Sequence, residues 1–475
     1  MLSHPRAASG EWEAAGSPAA GAVFGPVHRG RVGASVRESS GRPARPRHTE
    51  AQFTGHMSDT SRTSAEGLAP LVPGPVRCPI IGRMTGSASP HDAPPATDPG
   101  PPSPADTGRP AWRRAAPALL AYAGVRALGL VVLAVWSAAA GKSAHQLLTA
   151  RWDSLWYARV AEGWYGWSVR LPDGTVHSDM AFFPLLPALE RAGSELLPLS
   201  PGEAGAAAGW IASLGAAWAL FLVGERLGGR RAGICLAVLW AAVPVGIVQS
   251  MAYSEALFTA LAAWALWARM NGRWVWAGTL AALSGLTRPV GAAVVAALWI
   301  SALWEWRRTR NRPGWRTVAG LLLAPLGWFG YVAWVGVRTG SVTGYLDVQG
   351  QWGNGFDGGW AFAGFIWQNL TGSVIGGLGL LAGVALVIWL CVLCVRQRQP
   401  AELLVYMGVV VVLALCAKGY FGSKPRLLLP AFPLLLPPAA ALARRSPLRA
   451  GIVLGALAVA SAVYGAWWLN GSGPP

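Results

Sequence analysis

From residue 112 onward the chain alternates apolar runs with short polar breaks. The runs fall at 115–139, 204–225, 232–250, 253–269, 274–288, 289–306, 317–337, 371–395, 401–417, 427–443 and 450–469. Most approach the ~20 residues with which a helix spans a bilayer core. The pattern predicts an all-α polytopic membrane protein with about 11 transmembrane helices. Runs 274–288 and 289–306 are divided only by Arg288-Pro289, which predicts a tight turn. Before residue 112 this pattern is missing. Residues 1–111 are rich in Pro, Gly, Ala, Ser, Arg and Thr. Such a segment cannot bury enough apolar surface to offset its ordering entropy. It reads as a disordered tail, with Met57 and Met84 as alternative starts, followed by one multi-pass domain over 112–475. No short apolar core follows its first basic residues, which argues against a signal peptide.

The polar breaks carry a second pattern. Arg113 and Arg114 precede the first run. Basic groups then follow every second run: Arg226, Arg230 and Arg231; Arg269 and Arg273; Arg307 to Arg316; Arg396 and Arg398; Arg444, Arg445 and Arg449. The positive-inside rule puts these loops and the N-terminus in the cytoplasm of a cell-membrane protein. The remaining breaks then face outward: 140–203, 249–255, 285–291, 338–370 and 417–426.

Composition narrows the function. The 475 residues are 53% hydrophobic and 13% charged, which excludes a soluble enzyme with one large core. The net charge of +17 comes largely from the tail and the basic loops, so nucleic acid is not the expected partner. Cys391 and Cys394 form a C-x-x-C inside an apolar run, with no second pair or His to complete a metal site. No Walker loop, dinucleotide fingerprint, D-x-D or Ser-His-Asp arrangement occurs. His145 and His177 lack metal-ligand spacing and read as loop residues.

Candidate chemistry gathers in the outward breaks. In "RWDSLWY" (151–157), Leu148, Trp152, Leu155 and Trp156 fall at helical spacing and predict one interfacial helix. Asp153 would border its apolar stripe, where a carboxylate can take a proton from a hydroxyl. Arg151, Trp152 and Tyr157 flank it as candidate substrate contacts. "AFFPLLPALE" (181–190) predicts a second interfacial piece that shapes a pocket. In "MAYSEALF" (251–258), Ser254 suits an N-cap, and Glu255 is costly at a membrane cavity unless used or paired. Arg288 in "LTRPVG" (286–291) either snorkels to headgroups or grips a phosphate. Lys418, Lys424 and Arg426 sit outside against the charge rule, with an anionic lipid phosphate as natural partner. The loop 338–370 mixes Asp347, Gln349, Gln351, Trp352, Asn354 and Asp357, a composition that suits a sugar. It is Gly-rich and reads as mobile.

"RWDSLWY", "FFPLLP", "YSEALF" and "TRPVG", in that order, resemble the PIG-V group of membrane mannosyltransferases. These are relatives of the second mannosyltransferase of GPI-anchor assembly, within the GT-C class. "KPRLLLPAFPLLLP" (424–437) is similar to the C-terminal Arg-and-proline stretch of bacterial GT-C members. The resemblance covers roughly 112–470. It implies a GT-C-like bundle that passes mannose from a polyprenyl-phosphate carrier to a glycolipid or envelope glycan, outside the cytoplasm and with inversion. It implies Asp153 as the catalytic base. By their own position, and not through the resemblance, Arg288, Lys418, Lys424 and Arg426 suit the charge on the leaving phosphate, and Glu255 is a candidate substrate contact. No metal is demanded by the residues, although some members of the class use a divalent one. The rival reading is a transporter or flippase for a lipid-linked sugar, which predicts polar groups at mid-bilayer depth. No obligate protein partner is implied.

Overall fold

A computed structural model describes residues 110–471 and Gly473. The expected disordered tail, with Met57 and Met84, lies outside the described residues except for its last two positions. Each of the eleven apolar runs is mainly helical. Among the described residues, six helices are long and apolar enough to cross a membrane: Ala111–Ala139, Pro201–Ala241, Pro289–Thr309, Trp315–Thr339, Val374–Arg396 and Pro447–Leu469. Phe421–Leu427 and Phe432–Ala443, bent by 72°, make a seventh if they form one span. The chain is therefore a multi-pass helical membrane protein.

The remaining apolar runs form shorter or broken helices. Glu255–Met270 and Ala401–Cys416 have 16 residues each, and Trp274–Gly285 has 12. At ~1.5 Å per residue a 12-residue helix rises only ~18 Å, short of a ~30 Å hydrocarbon core. Runs 204–225 and 232–250 share the 41-residue segment Pro201–Ala241, which turns at Gly229 with φ 82°. That backbone conformation suits a residue without Cβ. The segment starts on a capping box: Ser200 and Glu203 satisfy one another's backbone N–H groups, with Pro201 in the first turn.

The core is built from small residues and a few rings. Ala216, Ala217, Leu220 and Phe221 of Pro201–Ala241 are fully buried with Ala262, Ala263 and Leu266 of Glu255–Met270. Tyr122 of the first helix stacks on Trp240 at 5.7 Å. Alanine lets helices approach closely without loss of side-chain entropy, which suits packing inside lipid.

The breaks join one another in two separate groups. Among the basic breaks, Arg226 donates to Asn271 Oδ1 at 3.0 Å, Arg231 donates to the Arg445 carbonyl at 2.9 Å, and Arg269 pairs with Glu305 at 2.7 Å. Among the others, Val176 N donates to Gln351 Oε1 at 3.0 Å, and Gly355–Phe356 pairs antiparallel with Ala417–Lys418. The break 338–370 is folded rather than the loose loop expected. It forms helices Gly344–Gln351 and Trp360–Gly372, and Asp357 starts the second by accepting from Gly359 N and Ala361 N, both at 2.9 Å. These two bonds hold the Asp357 carboxyl below the usual carboxylate range.

Candidate functional site

Asp153 is the first residue of helix Asp153–Gly163. The single interfacial helix expected from Leu148 to Trp156 does not form. Leu148 belongs to a separate short helix, Ala144–Thr149, and Trp152 breaks the chain with φ 52° and ψ −120°. This turn moves Leu148 into the core and leaves Leu155 exposed, so the apolar stripe is divided. It also puts Asp153 at a helix N-terminus, where the helix dipole favours a negative charge. Glu255 likewise opens its own helix, Glu255–Met270.

Four distant segments meet at these carboxylates. Arg426, in the short helix Lys424–Leu427, donates from Nη1 to Asp153 Oδ2 at 2.8 Å. Its Nε lies 3.3 Å from Glu255 Oε1. Arg288 Nη1 lies 2.5 Å from the same Glu255 oxygen and donates to Ser254 Oγ at 3.2 Å. Pro289 follows Arg288 and opens the next helical turn, as expected for a proline at that position. The cluster thus has two carboxylates balanced by two guanidinium groups. Glu255 is 1% exposed and Asp153 26%, so solvent reaches the cluster through Asp153.

Aromatic and hydroxyl groups close the site. Asp153 N donates to Tyr253 Oη at 3.3 Å, and the Arg426 guanidinium sits 5.0 Å from the Tyr253 ring centre. Tyr157 Oη and Ser254 Oγ share a hydrogen bond of 2.7 Å. Burial pushes the Tyr157 hydroxyl well up, so it stays protonated at neutral pH. Ser254 was expected as an N-cap, but its side chain makes no capping bond. It bridges Tyr157 and Arg288 instead, because the ion pair offers it a charged donor. Phe182 of "FFPLLP" stacks on Trp156 at 5.6 Å and meets Tyr157 edge-on at 5.1 Å, so this piece does line the site.

Other expected contacts lie elsewhere. Arg151 donates to the carbonyls of Leu469 at 3.0 Å and Gly471 at 3.1 Å, and stacks on Trp152 at 4.0 Å. It ties the last helix to this segment and has its donors committed there. Lys424 is buried between the Phe362 and Phe421 rings, donating to the carbonyls of Ala414 and Ala417 at the end of helix Ala401–Cys416. It caps that helix, whose C-terminal carbonyls attract a cation. Lys418 lies on the strand paired with Gly355. Neither lysine is bonded to the carboxylates. His145 is helical and contacts Glu203 at 3.0 Å, while His177 is on a strand and stacks on Trp352, so neither is a plain loop residue. Cys394 of the C-x-x-C donates to the Pro433 carbonyl at 3.3 Å.

Tyr253 is the site residue that sequence reasoning missed. Its signal was its place within "MAYSEALF", two residues before Glu255. A divalent metal does not fit this donor set. Both carboxylates are engaged by guanidinium groups, and among the described residues no three His, Cys, Asp or Glu side chains converge.

Fold and cluster together define a multi-pass membrane protein with a half-buried, charge-balanced site built from four interhelical segments. No family model and no curated protein matches the chain. Among solved structures it is similar to ArnT from Cupriavidus metallidurans bound to undecaprenyl phosphate. The TM-score is 0.45 and the identity 18%, covering 70% of this chain and 61% of that one. It is also similar to the Archaeoglobus fulgidus oligosaccharyltransferase in the apo form, with a TM-score of 0.40, 14% identity, and coverage of 74% of this chain and 55% of that one. The complex of AglB from the same organism with an inhibitory peptide and a dolichol-phosphate gives 0.39, 14%, 74% and 56%. The chain thus spans less than two thirds of the length of these proteins.

Proposed function

We propose that this chain is a GT-C membrane glycosyltransferase that takes mannose from a polyprenyl-phosphate donor and passes it to a glycolipid or envelope-glycan hydroxyl. One observation carries the reading: Arg426 bridges a solvent-reachable carboxylate, Asp153, and a buried one, Glu255. The motif order that resembles the PIG-V group supports the sugar and the carrier. Residues 1–111 are proposed as a tail outside this catalytic domain. The separate bonding of the basic breaks supports a sidedness with those in the cytoplasm and the site on the opposite face.

In the proposed reaction the acceptor hydroxyl attacks the anomeric carbon, with inversion. Asp153 takes the hydroxyl proton as the new C–O bond forms. The bond from the anomeric carbon to the phosphate oxygen breaks, and its electron pair leaves with the polyprenyl phosphate. Arg288 and Arg426 offset the charge that grows there. Glu255 anchors both guanidinium groups, so Arg426 can exchange Asp153 for the phosphate without losing all its counter-charge. The base is then released only once the donor is present. Tyr253 and Tyr157 orient Asp153 and Ser254 through neutral hydrogen bonds. Arg151 and Lys424 support the site from its edges rather than by gripping phosphate, the exposed Lys418 is a phosphate contact, and Trp152 sets the turn that presents Asp153.

The test is transfer from polyprenyl-phosphate mannose to a membrane lipid extract by the purified full chain. Asp153→Asn is expected to lower the rate by ~10²–10⁴-fold while thermal stability holds. Equal rates in both proteins would remove Asp153 from the chemistry. No transfer from any such donor would leave the transporter reading.

A further inference from the structure

Outside the ion-paired site, a cavity of about 360 Å³ opens between helix Gly344–Gln351 and the hairpin Ser168–Arg170/Val176–Ser178. Its volume falls in the ~300–1,000 Å³ range of small-molecule sites. The strand alternation explains one wall. Val176 and Ser178 line the cavity, while His177 on the opposite face stacks on Trp352 at 4.1 Å. The helix provides the other wall through Asp347 and Gln351, and the turn before it adds Ser341. These groups are held in place. Asp347 Oδ2 accepts from Ser341 Oγ at 3.2 Å and from Thr343 Oγ1 at 2.9 Å, and Gln351 Oε1 accepts from Val176 N at 3.0 Å.

The lining selects a ligand class. It contains hydroxyls, an amide, one carboxylate and two valine side chains, and none of its residues is cationic. A phosphate or uronate would meet Asp347 without a counter-charge. A neutral polyol can donate its hydroxyls to the carboxylate and set its C–H face on Val176 and Val348. The place in the fold is equally specific. The same helix also buries Tyr345 against Phe183 at 5.6 Å and Tyr331 at 6.3 Å. Trp352, just after the helix, donates to the Ser178 carbonyl at 3.0 Å and meets Trp156 edge-on at 4.6 Å, next to Tyr157. Trp352 thus links the hairpin wall of the cavity to the Trp156 ring of the site.

We propose that this cavity holds a neutral hexose unit of the acceptor glycan, at a distance from the hydroxyl that receives the new sugar. The word acceptor rests on the glycosyltransferase reading; the neutral-sugar binding does not. A long acceptor is held by a remote sugar here while its reacting end reaches Asp153.

Saturation-transfer NMR on the full chain in detergent tests this, with a linear mannose trisaccharide as probe and methyl glucuronate as the anionic comparison. The expected result is saturable trisaccharide binding and no glucuronate binding. Ser341→Trp, which fills the cavity, weakens trisaccharide binding by at least about tenfold, ~1.4 kcal/mol. Asp347→Asn weakens it less and admits glucuronate, and it carries the test if Ser341→Trp does not fold. Absence of binding by the parent, or parental affinity in both cavity variants, overturns the proposal. Binding with this variant pattern but no transfer from a polyprenyl-phosphate donor defeats the glycosyltransferase reading alone. Transfer without trisaccharide binding defeats the cavity alone.

Discussion

Two buried arginines divide this molecule into a part that holds and a part that can exchange. Arg126 lies near the middle of the first long helix. It donates to Ser250 Oγ at 3.1 and 3.3 Å and to the Ala241 carbonyl at 3.2 Å. Among the described residues no carboxylate pairs with it. Tyr122, one turn earlier, holds the neighbouring Gln249 at 2.6 Å. Arg126 is thus a clamp on the turn that leads into Tyr253, Ser254 and Glu255. Arg426 is just as buried, yet its partners are two carboxylates, one of them open to solvent. Burial makes any guanidinium costly in an apolar setting. The kind of acceptor then decides its use: neutral carbonyls and hydroxyls fix a charge, whereas a reachable carboxylate can be replaced by another anion.

Substitutions can break this comparison, the strongest first. Arg426→Met should abolish transfer and destabilise the protein by ~1.5–3 kcal/mol, because Asp153 loses its charged partner and Glu255 keeps only Arg288. Activity and thermal unfolding in detergent read both effects. An active, stable Arg426→Met protein would make Arg426 dispensable. Arg288→Lys keeps the charge but loses the planar fork, so donor KM should rise about tenfold with the fold intact. An unchanged KM would separate Arg288 from the phosphate. Arg126→Met should cost ~1–3 kcal/mol through lost hydrogen bonds to neutral groups. Donor KM per folded molecule should not move, and a rise in KM would mean that the clamp and the site are one unit.

The smallest effect concerns a buried acid with neither kind of partner. Glu190 is fully buried on helix Leu185–Leu196, with neither oxygen hydrogen-bonded among the described residues. It fits only because Gly205 has no Cβ, which would come within 2.2 Å of Oε1. Burial pushes its carboxyl well above the ordinary 4.5. The folded state therefore holds this proton more tightly than the unfolded state does. Its stabilising share is fully present below pH 4.5 and is lost as pH rises toward the folded value. Glu190→Gln should flatten that loss and raise stability at neutral pH. A melting profile from pH 4.5 to 8 with parallel curves would show that Glu190 does not titrate there.

Much of the helical architecture was legible because lipid imposes a simple rule: long apolar stretches must satisfy their backbone bonds as helix. The rule places helices but does not say how long each unbroken helix is; Trp274–Gly285 and Glu255–Met270 have 12 and 16 residues. Of the site, Asp153, Glu255, Arg288 and Arg426 stood out as charged groups near membrane ends. Lys424 stood out for the same reason and proved to cap a helix, since charge and position alone do not distinguish a phosphate grip from a C-terminal cap. The turn at Trp152 was invisible, because a positive φ at a tryptophan has no sequence signal of the kind glycine provides.

The sequence by itself determined that apolar helices dominate this chain and that acids are kept out of the middle of its apolar runs, because transfer free energies act on each residue wherever it lies. Only the tertiary structure decided that residues 153 and 426, separated by 273 positions, form one ion pair with Glu255 and Arg288 beside it. Pairing depends on how helices of unequal length pack and where their ends arrive, and no local stretch of sequence contains that geometry.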